Sequence, residues 1–119
     1  MTAPNLTSIT SIVAKSVHGE LTTGGATVLT NAADSDKVYK INSIIIANTS
    51  GSAVSPRFEL VKAGPTTRAL FYDIPCPSLS TLILLDRSTA IYLEEGDSIE
   101  AEANGNSALD YTINYEEIS

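Results

Sequence analysis

The sequence predicts an all-β protein: a single antiparallel β-sandwich, jelly-roll-like, of about eight strands. Three observations predict it. Residues 98–104 and 109–116 alternate on either side of an Asn104-Gly105-Asn106 turn, with Ile99, Ala101 and Ala103, then Leu109, Tyr111, Ile113 and Tyr115, facing one way and polar residues the other. A period of two over that length belongs to strands with one buried and one wet face. Gly, Pro, Asn and Ser punctuate the chain every 8 to 12 residues, the spacing of sandwich turns. No amphipathic helix competes, and no repeat or linker divides the chain.

The elements follow in order. Residues 1–13 combine Thr and Ser with scattered Leu6, Ile9, Ile12 and Val13. The run is β-branched and lacks a helix cap, so it reads as an extended arm, or as an edge strand near Ile9 to Val17, ahead of a sandwich domain over 14–119. Gly24-Gly25 marks a turn before a short strand, Ala26 to Thr30, and residues 31–37 form a polar loop. Val38 to Asn48 is the strongest strand. Its Ile44-Ile45-Ile46 run is apolar on both faces, which places it in mid-sheet. Ser55 to Lys62 follows with Phe58 and Leu60 inward, then Arg68 to Ile74. Pro75 and Pro77 stop that strand because neither can donate to a ladder. Leu79 to Asp86 is a second apolar run, and Ile91 to Glu94 leads through a Glu95-Gly96-Asp97 corner into the closing pair. The last strand is expected well inside a sheet.

At 119 residues the chain fits one domain. The net charge of −7 is uneven: residues 1–87 hold seven Lys/Arg against six Asp/Glu, and residues 88–119 hold no Lys or Arg and eight Asp/Glu. An acidic end of this kind reads as a solvated face or as a surface for a basic protein partner. Without a basic stripe interleaved with aromatics, nucleic acid is not the expected partner. No charged segment precedes an apolar one at the front, and no apolar run approaches a membrane span, so the chain is expected to be made in a cytoplasm.

Residues for chemistry are few. His18 is the single histidine and Cys76 the single cysteine, which leaves no His-based triad, zinc set or internal disulfide. Cys76, between two prolines, reads as a packed loop thiol. Glu94, Glu95 and Asp97 lack the ligand order of a calcium loop, and with no Trp there is no sugar platform for paired acids. They read as a solvated corner. No catalytic residue, metal site or cofactor is expected. Tyr39, Tyr72, Tyr92, Tyr111 and Tyr115 fall in strands and suit core, rim or subunit-interface positions.

GELTT at the front, INSIIIAN in the middle, a Ser/Gly-rich loop, LLDRSTAIYLEEGDSI and the ending ALDYTINYEEI resemble, in that order and spacing, small virion structural proteins of tailed bacteriophages, cyanophages among them. The resemblance spans nearly the whole chain and carries over no catalytic residue. It implies a head decoration, or cement, protein that binds the assembled capsid, with a neck, tail or tail-tip component as the alternative and a carbohydrate- or receptor-binding module behind it. Its implied location is the virion, its implied partners the major capsid protein or other virion proteins, and its implied form a homo-oligomer, with a trimer favoured. Leu6, Ile9, Ile12 and Val13 of the arm are the candidate interface residues. Through them an arm would add a strand to a neighbour's sheet edge.

Overall fold

Strand pairing accounts for most of the backbone of the computed structural model, which describes residues 8–64 and 66–119. The strands are β1 (Ile12–Glu20), β2 (Ala26–Thr30), β3 (Val38–Asn48), β4 (Pro56–Lys62), β5 (Thr66–Tyr72), β6 (Thr81–Leu85), β7 (Ile91–Leu93), β8 (Ser98–Ala103) and β9 (Leu109–Ile118). One sheet runs β1-β9-β3-β6, with β7 also on β3; the other runs β2-β8-β4-β5, and every pairing is antiparallel.

β6 and β7 lie end to end along β3, one against Ile44–Ala47 and the other against Tyr39–Ile41. A 3-10 turn at Arg87–Thr89 separates them, and the Asp86 carboxylate accepts from the Ser88 N–H at its start. They are two halves of one interrupted strand. Counted so, eight strands run 1-9-3-6/7 over 2-8-4-5, the two-sheet path of a jelly roll. The residue pattern of β8 and β9 is the predicted one, and β9 does sit inside its sheet, between β1 and β3.

The core follows from the registers. Val17, Ile113 and Ile44 share one row across the first sheet, and Leu85 extends it. The facing sheet carries the row Ala26, Ala101, Phe58, Phe71. Alanines beside Phe58 leave space for its ring, which meets Phe71 nearly edge-on at 6.5 Å between centroids. Ile44, Ile46, Phe58, Ile99 and Ile113 are all fully buried. Ile45 points to the outer face and is only half-buried, while Ile83 of β6 is 63% exposed there. The second apolar run therefore forms an outer strand with one wet face.

Buried polar side chains fix the loops. The Asn31 amide donates to the carbonyls of Lys37 and Leu93, and the Asn48 amide to those of Ser52 and Cys76. Cys76 is buried and bridges to Val54, as a packed thiol should. Asp97 corrects the expectation of a solvated corner: it is 1% exposed. Its carboxylate accepts from the N–H groups of Glu94 and Ala63 and, at 2.6 Å, from Lys62 Nζ. Glu94 stays at the surface, reaching Lys62 at 3.1 Å. Gly96 completes the corner at φ 87°, where a Cβ would lie 2.9 Å from that of Ala63.

Two substitutions test this account by thermal or denaturant unfolding. Phe58→Ala opens a void between the sheets and is expected to cost about 3–5 kcal/mol. Asp97→Ala removes the buried acceptor shared by the Glu94 and Ala63 N–H groups and Lys62 Nζ. It is expected to cost about 2–4 kcal/mol, whereas a solvated corner residue would cost under about 0.5.

Candidate interaction surface

Two open sheets leave four strand edges, and the sequence treats three of them alike. β2 is five residues long and bulged at Val28, between its pairings at Thr27 and Leu29. β5 is bulged at Leu70. The edge made by β6 and β7 is bulged at Leu84 and then cut by the 3-10 turn. Short, bulged or broken edges resist further pairing. β1 differs: its nine residues run against β9 from Ile12↔Ile118 to Glu20↔Asp110 without a register shift. It contains no proline, and no strand pairs with its outer side among the described residues.

The hydrogen-bond phase says which groups that outer side presents. Ser11 and Ser119 exchange both N–H···O bonds, and Leu21 N–H donates to the Leu109 carbonyl. Bonded pairs alternate along an antiparallel ladder, so Val13, Lys15, Val17 and Gly19 point their main-chain groups at β9. Ile12, Ala14, Ser16, His18 and Glu20 point theirs away. Sequence reasoning missed these backbone groups, because they carry no side-chain signature.

Of the candidate interface residues, Leu6 lies outside the described residues, as does the arm over residues 1–7. Ile9 is half-buried. Ile12 and Val13 are the first residues of β1, 52% and 46% exposed. Just before them, Thr10 and Ser11 donate to the Ser119 carbonyl. Ile12 shares an outer-face row with Ile118 and Val38, while Val13 shares the inner-face row of Glu117 and Tyr39.

Glu117 ties this edge to the body of the fold. It is 9% exposed, and its carboxylate meets Lys15 of β1 at 3.2 Å and Lys37 at 3.1 Å. Burial works to raise its pKa, but hydrogen bonds from Lys37, Lys15 and Tyr39 prevail and hold it below the ordinary glutamate value. Burial, and then the neighbouring Glu117 carboxylate, push the Tyr39 phenol up to about 12. The Tyr39 ring packs on Tyr115 at 5.1 Å, so the charged cluster sits beside an apolar one.

Elsewhere the surface mixes exposed apolar side chains, Leu79, Ile83, Tyr72 and Tyr92 among them, with charged ones. On the outer face of the second sheet Glu100 lies opposite Glu59, and Glu102 meets Arg57 at 2.9 Å. Arg57 also holds Asp73 at 3.1 Å and stacks over Tyr72 at 4.1 Å. Among the described residues no group of three or more His, Cys, Asp or Glu side chains is placed to hold a metal ion. No helix there is long and apolar enough to cross a membrane. His18 lies within β1 with its side chain exposed.

No protein-family model and no curated protein matches the chain. Solved structures do. A chain from the Bacillus endospore appendages, described as a family of disulfide-linked pili, aligns at 14% identity and a TM-score of 0.51, over 99% of this chain and 95% of its own. Chains of infectious bursal disease virus, strains Gx and Gt, align at 8% and 7% identity with TM-scores of 0.48 and 0.43. They match 93% and 91% of this chain but only 34% and 32% of their own. At such identities the likeness to the appendage protein is one of fold. The cross-link named for that protein has no counterpart in the described fold, since the single cysteine, Cys76, is fully buried.

The Glu117 cluster sets a pH dependence. Its folded pKa lies below the unfolded one, so its contribution is complete above the unfolded value of about 4.3 and is lost as pH falls below it. Glu117→Gln is therefore expected to lower the melting temperature at neutral pH, by a margin that narrows between about pH 5 and 3. A margin that stays constant over that range would contradict the ion-pair account.

Proposed function

We propose that this chain is a non-enzymatic structural protein of a tailed-bacteriophage virion, and specifically a head decoration protein that binds and stabilises the assembled capsid. The observation that carries the reading is the β1 edge: one long, regular strand, unpaired on its outer side among the described residues where the other edges are blunted, and preceded by the N-terminal segment. An edge of this kind makes contacts through its main chain, which suits a protein that works by occupancy rather than turnover. The jelly-roll fold and the motifs that resemble phage virion proteins support the same reading.

In this role the sandwich is the rigid body, and the residues ahead of β1, Leu6 and Ile9 among them, form the arm that lies on the major capsid protein. Ile12 and Val13 place apolar area where the arm leaves the sheet. Each contact is modest, and many copies on one lattice multiply it into tight binding. Homo-oligomerisation belongs to this reading, with a trimer as the form the resemblance implies.

The test is co-sedimentation with heads purified from the phage that encodes the chain. The full chain is expected to saturate the heads. A chain lacking residues 1–9, which keeps the Thr10 and Ser11 bonds to Ser119, is expected to retain its far-ultraviolet circular dichroism while binding at least about tenfold more weakly. Equal saturation by the truncated chain would overturn the arm. Absence of the protein from purified virions, measured by mass spectrometry, would overturn the virion role.

A further inference from the structure

The β1 edge also carries a pairing code, and that code reads best against itself. Its outward-facing residues, Ile12, Ala14, Ser16, His18 and Glu20, are centred on Ser16. We infer that β1 is the seam of a two-fold dimer, in which the β1 strands of two copies pair antiparallel about an axis through Ser16 and join two sheets into one.

The register follows from three constraints. With the axis at Ser16, every outward-facing residue finds a partner that also faces outward: Ile12 with Glu20, Ala14 with His18, and Ser16 with itself. Moving the axis to Lys15 would set two lysines directly opposite each other, which is destabilising. Moving it to Val17 would leave Ile12 without an outward-facing partner in β1. The side chains fit the first register. The His18 imidazole lies beside the small Ala14, and the two Ser16 hydroxyls lie within reach of each other. On the inner face Val13 falls opposite Gly19, where the Tyr111 ring already lies against the glycine: a Cβ there would be 2.9 Å from its hydroxyl. Val13 therefore packs on that ring. Lys15 falls beside Val17, with its charge held by Glu117 at 3.2 Å.

A trimer, by contrast, is built head to tail, joining β1 of one copy to a different surface of the next. The other sheet edges are short, bulged or interrupted. The two-fold seam therefore takes the place of the trimer that the resemblance implies. It occupies the β1 main chain itself, so the capsid contact then falls to the residues ahead of β1. The seam does not depend on the virion reading.

Cysteine scanning tests it. Paired residues of the hydrogen-bonded class lie about 5.5 Å apart at Cα, within disulfide reach. Two Ala14 residues would lie about 13 Å apart along the seam. Under mild oxidation Ser16→Cys is expected to give at least about tenfold more linked dimer than Ala14→Cys, with the buried Cys76 silent in both. Sedimentation of the unmodified chain should give about twice the 12.5 kDa chain mass. Ser16→Lys and Ser16→Glu, both exposed-site changes, should each weaken association several-fold, and an equimolar mixture of the two should restore it. Equal linking at the two cysteine positions, a monomeric or trimeric unmodified chain, or no rescue in the mixture would each overturn the seam. Capsid binding by a chain that proves monomeric would leave the virion role standing without it.

Discussion

Every strand at the rim of an open sheet leaves N–H and C=O groups that water or another chain must satisfy, and this need governs the whole sandwich. Three edges meet it by becoming poor templates. Extra residues at Val28, Leu70 and Leu84 break the ladder spacing, and a 3-10 turn divides β6 from β7. β1 meets it differently, by staying regular for nine residues. A fold that blunts three edges and leaves the longest one even keeps its regular unpaired ladder groups on one strand among the described residues.

That edge is useful only if it is held firmly, and the sequence places its anchors at the far end of the chain. β9 lies between β1 and β3, so it completes the sheet that carries β1. Glu117 draws Lys15 and Lys37 to one carboxylate, Tyr39 and Tyr115 pack beside it, and the Ser119 backbone pairs with that of Ser11. The edge is hydrogen-bonded on its inner side and, among the described residues, unpaired on its outer side. The acidic bias of the last third looks different in this light. Glu117 works internally, Asp97 locks a corner, and Glu100 and Glu102 lie on the other sheet's outer face.

Much of the fold was legible because alternation is local. Ala26–Thr30 and Val38–Asn48 stand where composition and punctuation put them, and Cys76 is packed as its flanking prolines suggest. What was not legible depends on partners far away in sequence. Asp97 carries the same formal charge as Glu94 and Glu95, and only the approach of Lys62 and the Ala63 N–H makes it a buried lock. The Leu82–Leu85 run looks two-sided, yet it lies on the outer side of β3 with Ile83 exposed. Which main-chain groups β1 leaves unpaired was not legible, although the sequence does admit an edge strand near Ile9 to Val17. That emerges once Ile12 is known to pair with Ile118 while its other side stays free among the described residues.

Residue-resolved amide hydrogen exchange along β1, at low and high protein concentration, tests the central claim most directly. The account predicts that the amides of Ile12, Ala14, Ser16, His18 and Glu20 exchange quickly when dilute and slow markedly as concentration rises. Those of Val13, Lys15, Val17 and Gly19, bonded to β9, should be protected at both concentrations. Alternation that is absent, or that does not change with concentration, would contradict the claim that this edge is where the protein associates.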